Sequence, residues 1–190
     1  NLTTPKALLE VNGEPLIERT IKQLHEVGVK DITIVVGFMI ERFDYLIDEY
    51  GVELIVNPEY ATKNNLSSLA LVADRISNTY IVPSDIWCDR NPFSSHEMYS
   101  WYMVSDIVDN ESDVRVNRKM ELVREGEHAG GNAMVGITYL LEADAKSIRE
   151  RIEKLNSSGK HEEDFWEIVL YKGEKMVIVN DLLCGFDKNG

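Results

Sequence analysis

The sequence predicts an α/β fold built around a mixed β-sheet. Between residues 14 and 82, segments of helical periodicity alternate three times with short runs of β-branched and apolar residues. This alternation is typical of a sheet with right-handed crossovers. A chain of 190 residues is long enough for a substantial core, and no internal repeat or low-complexity linker divides it. We therefore expect residues 1–190 to form a single domain.

The elements of the first half follow from apolar spacing and from stop signals. The helices carry apolar residues three and four positions apart, and Gly28 and Gly51 end the first two of them. The run at 32–36 is almost entirely β-branched, which suits a strand covered on both faces. In order, the prediction is helix 15–27, strand 32–36, helix 39–50, strand 52–56, a helix capped by Asn65 and continuing to Ile76, and strand 79–82.

The second half is less regular and resembles a meander of short strands followed by helices. An amphipathic pattern over 143–155 indicates a helix that buries Ile148, Ile152 and Leu155. In order, the prediction is strands 99–108, 114–116, 120–123 and 133–140, helix 143–155, helix 162–171 and strand 176–179.

Composition excludes several classes of partner. A net charge of -13 argues against nucleic-acid binding and against anionic membrane surfaces, because both depend on Lys and Arg. Nucleotides remain possible ligands, since a bound cation can supply positive charge locally. No apolar run has the length of a bilayer crossing and no signal peptide is visible, so we expect a cytoplasmic protein. Cys88 and Cys184 are far apart in sequence, and we expect reduced thiols.

Two residues in turn-prone stretches are suited to phosphate chemistry. Lys6 follows Pro5 and precedes an inward-running apolar stretch, a setting that can direct a compact cation at a phosphate, although most lysines simply face solvent. Asp85 follows strand 79–82, and ligands of open α/β sheets bind beyond the carboxyl ends of strands. A carboxylate there suits Mg²⁺, which needs few protein carboxylates beside phosphate; a turn-forming aspartate is the simpler alternative.

The stretch TTPKALLEVNGEPLIE at residues 3–18 resembles the second half of the signature of nucleotidyltransferases that activate phosphorylated sugars and alcohols. The resemblance implies a Rossmann-like three-layer sandwich with a mostly parallel mixed sheet. It also implies that Lys6 contacts phosphate and that Asp85 and Asp187 bind Mg²⁺. In that family a strand and a Gly-rich loop precede the Pro-Lys pair. Nothing precedes Asn1 here, so we expect the domain to be N-terminally incomplete.

The stretch YATKNNLSSL at residues 60–69 narrows the resemblance to the phosphocholine cytidylyltransferase branch. There, a tyrosine and paired asparagines precede a Ser-Leu helix, which implies that Asn64, Asn65 and Ser67 bind substrate. A helix cap is the simpler explanation of the asparagines. The glycines around Gly136 resemble those of a family strand that approaches the phosphorylated part of the substrate, although a glycine beside a strand also simply marks a turn.

The acidic and aromatic residues at 162–167 extend this resemblance. In the same branch an aromatic-Trp-acid sequence helps to enclose choline, which implies roles for Glu163, Phe165 and Trp166. Aromatic faces beside carboxylates are suited to a quaternary ammonium group through cation–π attraction and charge. Two adjacent aromatics on one helix cannot both face the same way, so core packing is the alternative for each of them.

The expected activity is an Mg²⁺-dependent transfer from CTP to phosphocholine that gives CDP-choline and pyrophosphate. Two alternatives remain open at this point. A sugar 1-phosphate could replace phosphocholine, with UTP, dTTP or GTP as donor. The chain could also be a catalytically inactive or truncated nucleotide-binding domain.

Overall fold

A computed structural model describes residues 3–112, 114–124, 130–171 and 177–180. These residues fall into two compact units. Unit 1 contains residues 3–61 and 83–96, and unit 2 contains residues 62–82 and the described residues from Glu97 to Asn180. Neither unit is continuous in sequence. The expectation that the chain forms one domain stays a prediction.

Unit 1 combines two strand pairs with two helices. The elements are strands β1 (Glu10–Val11) and β2 (Glu14–Pro15), helix α1 (Leu16–Glu26), strand β3 (Thr33–Val36), helix α2 (Tyr45–Tyr50) and strand β4 (Glu53–Val56). β1 and β2 form an antiparallel hairpin, whereas β3 and β4 pair in parallel. The parallel pair lies where the sequence predicts two strands separated by a helical segment.

Helix α1 shows how the apolar pattern of the sequence builds the core of unit 1. The helix begins at Leu16 directly after Pro15, whose backbone is extended at the N-cap. Ile17 and Ile21 lie on one face at a four-residue spacing and pack with Val36 of β3 and Leu46 of α2. The polar face of the helix is left for contacts with the loop at 83–91.

The helix predicted over 39–50 is interrupted, and this part of the prediction is wrong. A 3₁₀ turn covers Ile40–Arg42, and α2 covers only Tyr45–Tyr50. Met39 has a φ of 53°, in the left-handed region, so a continuous right-handed helix cannot begin there. The predicted end is confirmed: Gly51 adopts a φ of 69°, and its N–H donates to the Ile47 carbonyl at 2.9 Å.

Unit 2 is organised around a mixed four-stranded sheet in the order β10–β6–β9–β5. Its strands are β5 (Thr79–Ile81), β6 (Trp101–Asp109), β9 (Gly131–Leu140) and β10 (Val177–Asn180). β9 is antiparallel to β5 and β6, whereas β10 is parallel to β6. A separate antiparallel hairpin consists of β7 (Val114–Val116) and β8 (Leu122–Arg124). The strand-rich second half predicted from the sequence is therefore present.

Two helices pack with this sheet in the core of unit 2. They are α3 (Asn65–Ala70) and α4 (Glu142–Ser157). Leu66 of α3 and Ile148 and Ile152 of α4 belong to the same buried cluster as Trp166. The amphipathic pattern over 143–155 correctly predicts α4, because its spacing places Ile148 and Ile152 on one face.

Two further predictions in unit 2 are wrong. Asn65 is the first residue of α3 and not its cap; the cap is Asn64, whose Oδ1 accepts a hydrogen bond from the Asn65 N–H at 2.7 Å. The helix predicted over 162–171 is only a 3₁₀ segment at Trp166–Leu170, preceded by an extended Phe165. Backbone groups at 162, 163 and 166 bond to Asn64 and Asn65, which leaves them outside a helical ladder.

The structure also corrects the expectation of reduced thiols. Cys88 is buried and disulfide-bonded, while Cys184 lies outside the described residues. Distance along the sequence did not reveal this, because a disulfide depends only on proximity in the fold. Among the helices in the described residues, none has both the length and the apolar character that a bilayer crossing needs.

Candidate functional site

Lys6 and Asp85 both lie in unit 1, and both are exposed. Lys6 begins a 3₁₀ turn, Lys6–Leu8, in which the next residue, Ala7, is buried in the core of the unit. This is the predicted boundary setting: the backbone is anchored by Ala7 while the ammonium group faces outward. Asp85 lies in a turn after β5, which ends at Ile81.

The loop that carries Asp85 is fixed to helix α1. The Arg19 guanidinium donates to the carbonyl oxygens of Cys88 at 3.3 Å and Asp89 at 2.7 Å. Gln23, which is buried, donates to the same Cys88 carbonyl at 2.9 Å. The guanidinium carbon also lies 4.9 Å from the centre of the Trp87 ring. Asp85 is therefore an exposed carboxylate on a loop whose neighbouring backbone is held in place.

The donor set for Mg²⁺ in the described residues is sparse. No group of three or more His, Cys, Asp or Glu side chains that could hold a metal occurs within the described residues. Mg²⁺ is commonly held by one or two carboxylates together with substrate phosphates. A single exposed carboxylate, Asp85, fits that pattern. Asp187, the predicted second ligand, lies outside the described residues, and both metal-binding roles stay predictions.

The paired asparagines of unit 2 are engaged with the segment 162–167, which we call the acid–aromatic segment. The Asn64 backbone N–H donates to the Glu162 carbonyl at 2.7 Å, and its Nδ2 donates to the Glu163 carbonyl at 3.1 Å. Asn65 Oδ1 accepts from the Trp166 N–H at 2.7 Å. Ser67 is buried, and its hydroxyl donates to the Asn64 carbonyl at 2.8 Å. The substrate-binding roles of these three residues stay predictions.

The three predicted choline-enclosing residues differ in exposure. Glu163 is exposed, and Phe165 keeps 56% of its surface accessible. Trp166 is only 4% exposed and packs in the core of unit 2. The structure thus brings the acid–aromatic segment together with Asn64 and Asn65. It also agrees with the expectation that two adjacent aromatics face different ways, with Trp166 inward.

A buried carboxylate follows Trp166 directly and forms what we call the Glu167 cluster, made of Tyr102, Trp166 and Glu167. The Tyr102 hydroxyl donates to Glu167 Oε1 at 3.1 Å, and the rings of Tyr102 and Trp166 lie 6.3 Å apart. Glu167 is 5% exposed, yet its Oε2 has no hydrogen-bond partner among the described residues. Burial raises the pKa of Glu167 and, together with the adjacent carboxylate, raises that of Tyr102.

A second carboxylate of unit 2 lies among aromatic rings, and we call this set the Glu97 cluster: Tyr80, Glu97, Trp101 and Tyr139. Glu97 Oε1 accepts from the Tyr80 hydroxyl, and Oε2 accepts from the Trp101 indole N–H at 3.0 Å. The Tyr80 ring lies 4.8 Å from the Tyr139 ring and 6.1 Å from the Trp101 ring. Burial, followed by the charge of Glu97, raises the pKa of Tyr139.

Gly136 lies at an irregularity in strand β9. Its φ is 91°, and the register between β6 and β9 shifts between the pairs Tyr102–Thr138 and Val104–Met134. Glycine is suited to such a bulge because it adopts positive φ without steric cost. The backbone requirement explains the residue type, and the predicted contact with substrate stays a prediction.

Sequence reasoning did not assign a role to Glu167 or to Glu97. Glu167 was recognisable only as one acidic neighbour of Trp166 among several. Its one available signal is position: it begins the run Glu167-Ile168-Val169-Leu170, and a carboxylate that starts an apolar run is a candidate for burial. That Oε2 lacks a partner in the described ranges depends on the fold and cannot be read from the local sequence.

Known proteins resemble this chain over most of its length. The sequence matches the MobA-like NTP transferase domain over residues 2–93. The choline-phosphate cytidylyltransferase of Streptococcus pneumoniae is 33% identical over 177 residues, which cover 86% of this chain and 73% of that protein. The 2-aminoethylphosphonate cytidylyltransferase of Lancefieldella rimae is 34% identical over 177 residues, covering 88% of this chain and 71% of that protein.

A solved structure also resembles this chain over most of its length. The CTP:phosphocholine cytidylyltransferase LicC from Streptococcus pneumoniae superposes with a TM-score of 0.83 at 30% identity, and the match covers 94% of this chain and 81% of that one. The predicted α/β fold of the Rossmann-like nucleotidyltransferase type is confirmed. The family resemblance carried by residues 3–18 is confirmed as well.

Proposed function

Because the chain belongs to the cytidylyltransferase family of nucleotidyltransferases, we propose that it transfers the cytidylyl group of CTP to phosphocholine with the help of Mg²⁺. A phosphate oxygen of phosphocholine attacks the α-phosphorus of CTP, and the bond to the β-phosphate breaks. The products are CDP-choline and pyrophosphate. Since the phosphate is itself the nucleophile, the protein contributes positioning and charge neutralisation.

The observation that carries the choice of a cationic acceptor is Glu167 Oε2, which has no hydrogen-bond partner within the described part of the chain. A buried carboxylate without a full set of partners is costly, and a nearby cation offsets that cost. A trimethylammonium group has no N–H to donate, so it is recognised by charge and by aromatic faces. In this proposal the exposed Phe165 and Glu163 contact the choline group, and Glu167 supplies negative charge behind them.

The roles of the remaining residues follow from their chemistry. Lys6 neutralises phosphate charge, because its ammonium group faces outward from an anchored turn. Asp85 is the residue that would hold Mg²⁺, joined by Asp187. When bound, Mg²⁺ supplies charge stabilisation at the phosphates. Arg19 and Gln23 anchor the loop of Asp85 at the carbonyls of Cys88 and Asp89. In this proposal the backbone at the Gly136 bulge lies close to the acceptor.

A second acceptor is supported by a specific observation. The Lancefieldella relative is a 2-aminoethylphosphonate cytidylyltransferase, and its identity to this chain is similar to that of the choline-phosphate enzyme. A primary ammonium donates hydrogen bonds, and Glu167 Oε2 is an acceptor that lacks a partner in the described residues. The second candidate function is therefore cytidylyl transfer to 2-aminoethylphosphonate.

One assay separates these functions from the sugar alternative. The full-length protein is incubated with CTP and Mg²⁺ and, in separate reactions, phosphocholine, 2-aminoethylphosphonate or glucose 1-phosphate, and pyrophosphate release is measured. We expect the highest kcat/KM with phosphocholine. A preference for 2-aminoethylphosphonate would support the second candidate. Turnover with glucose 1-phosphate alone, or no turnover with any acceptor, would overturn the proposal.

A further inference from the structure

We propose that Asn64 and Asn65 are positioning residues that hold the acid–aromatic segment and thereby determine which cationic acceptor the enzyme prefers. This inference rests on the proposed function. It assigns the asparagines a role that differs from the substrate contact expected from the sequence: they act through Trp166 and Glu167.

Asn64 holds the start of the segment through two groups, and a third group of Asn64 caps α3. Its backbone N–H donates to the Glu162 carbonyl at 2.7 Å, and its Nδ2 donates to the Glu163 carbonyl at 3.1 Å. Its Oδ1 accepts from the Asn65 N–H at 2.7 Å and so caps α3. The backbone N–H and the side chain of Asn64 therefore tie the start of α3 to two consecutive carbonyl groups of the segment.

Asn65 fixes the residue that directly precedes Glu167. Its Oδ1 accepts from the Trp166 N–H at 2.7 Å. The backbone changes from extended to helical at this point: Phe165 is extended, and the 3₁₀ segment starts at Trp166, one residue before Glu167. A bond to the Trp166 N–H thus sets where the 3₁₀ segment begins and how Trp166 and Glu167 are presented.

Besides these hydrogen bonds, the segment is held by burial of Trp166 in the core of unit 2 and by the Tyr102–Glu167 hydrogen bond. The Lys63–Glu162 ion pair is long, at 3.4 Å, and half of the Glu162 side chain is exposed, so it contributes little. The His161–Asp164 contact at 2.7 Å is local to the segment. The bonds from Asn64 and Asn65 link positions about 100 residues apart in sequence, as the separations of 99 and 101 show. They are therefore long-range hydrogen bonds that tie the segment to α3, in addition to the packing of Trp166 in the same cluster as Leu66.

Position determines selectivity here because the two candidate acceptors need different geometry. A primary ammonium must reach hydrogen-bond distance of a carboxylate oxygen, whereas a trimethylammonium group needs contact with an aromatic face. Displacement of a positioning element by about 1 Å can cost as much as 100-fold in rate. Loss of the Trp166 anchor should therefore change the acceptor preference and leave the affinity for CTP unchanged.

The test compares Asn65→Ala with Asn65→Asp in the full-length protein. The aspartate keeps an oxygen that accepts from the Trp166 N–H, whereas the alanine does not. We expect Asn65→Ala to raise the KM for phosphocholine about tenfold and to shift the kcat/KM ratio of phosphocholine to 2-aminoethylphosphonate, which corresponds to loss of one hydrogen bond. Asn65→Asp should retain the wild-type KM and ratio, and the KM for CTP should not change in either variant.

The two possible roles of Asn65 predict opposite results for the aspartate. If the Asn65 amide N–H groups bound a substrate phosphate directly, the carboxylate would repel that phosphate, and Asn65→Asp would be impaired at least as much as Asn65→Ala. That result, or an unchanged acceptor KM in Asn65→Ala, would overturn the inference. If Asn65→Ala does not fold, Asn64→Asp replaces it: it keeps the capping oxygen, loses the donor to Glu163, and should also raise the phosphocholine KM.

Asn117→Ala is the matched control. Asn117 Oδ1 accepts from the Lys119 and Glu121 N–H groups at 2.8 and 3.0 Å in the turn between β7 and β8. Its loss should lower Tm without altering either acceptor KM; an equal change of acceptor preference in this variant would count against the inference. Failure of the wild-type enzyme to use either cationic acceptor would instead refute the proposed function.

Discussion

Glu97 and Glu167 are both carboxylates among aromatic side chains of unit 2, and they differ in how completely their oxygens are paired. Both oxygens of Glu97 accept hydrogen bonds, one from the Tyr80 hydroxyl and one from the Trp101 indole. Glu167 accepts from Tyr102 through one oxygen, and the other oxygen has no partner among the described residues although the side chain is buried. The same residue types therefore build two different environments.

The difference separates a structural carboxylate from a candidate ligand-binding one. A carboxylate with both oxygens paired to protein groups has satisfied its desolvation cost within the fold. A buried carboxylate with one free oxygen retains part of that cost, which a bound cation can offset. Tyr102 and Trp166 of the Glu167 cluster belong to the core of unit 2, whereas Glu97 is half-buried. Under the proposed function, Glu167 and not Glu97 balances the charge of the bound acceptor.

The largest expected effect is a loss of kcat when Asp85, which belongs to neither cluster, is replaced. Substitutions in the two clusters are compared with this loss. Asp85→Ala in the full-length protein should lower kcat about 1000-fold with every acceptor, because charge stabilisation at the phosphates is lost. The fold should be retained, since the Asp85 side chain is exposed. Steady-state kinetics measures kcat, and circular dichroism checks that the fold is retained. Asp48→Ala, an exposed aspartate of α2, is the control, and near-normal CDP-choline formation by Asp85→Ala would remove this residue from the mechanism.

The next effect compares the two clusters directly. Glu167→Gln should raise the KM for phosphocholine about 30-fold, or about 2 kcal/mol, because the negative charge that faces the cation is lost. Glu97→Gln should leave that KM unchanged, because both oxygens of Glu97 already accept from the protein. Initial rates at varied phosphocholine and saturating CTP give the values. Equal effects of the two substitutions would remove the distinction between the clusters.

The free energy of unfolding should fall more when the tyrosine that donates to Glu167 is replaced than when the tyrosine that donates to Glu97 is replaced. Tyr102→Phe removes the hydroxyl that donates to buried Glu167 and should cost about 2 kcal/mol of unfolding free energy. Tyr80→Phe should cost about 1 kcal/mol, because Glu97 keeps the Trp101 indole as a donor. Urea denaturation of both variants tests the difference. A larger loss in Tyr80→Phe would show that Glu97 is the carboxylate that depends more on its tyrosine.

The smallest effect concerns pH. Burial raises the pKa of Glu167 above its usual value of 4.5. The stability that its protonated form contributes is complete below 4.5 and is lost as pH rises through the raised pKa. Glu167→Gln does not titrate at this position, so the stability of this variant relative to wild type should increase as pH rises over that window. Thermal unfolding across this pH range measures the difference, and a difference that is constant or falls with pH would contradict the pKa direction.

Local sequence patterns predicted the elements whose stability depends on burial. The run at 32–36 and the apolar stripe of α1 were correctly placed because burial of Ile17, Ile21 and Val36 follows from spacing alone. The resemblance at residues 3–18 gave the family, which similar proteins confirm. It also pointed to Lys6 and Asp85, whose roles stay predictions.

Local sequence patterns gave wrong predictions where residues far away in the sequence determine the backbone conformation. The acid–aromatic segment has helical spacing, yet its N–H and C=O groups are taken by Asn64 and Asn65 from about 100 residues earlier. Such tertiary hydrogen bonds override local propensity, and no window of sequence contains both partners. For the same reason, only the fold reveals that Glu167 Oε2 has no partner among the residues that the structure describes.

The most direct test of the central claim uses a substrate analogue whose head group carries no positive charge. In 3,3-dimethylbutyl phosphate a carbon replaces the nitrogen of phosphocholine, so shape is kept and the positive charge is lost. If Glu167 recognises that charge, the wild-type enzyme should prefer phosphocholine over this analogue in kcat/KM, and Glu167→Gln should lose most of that preference. An undiminished preference in Glu167→Gln would show that the charge is recognised elsewhere.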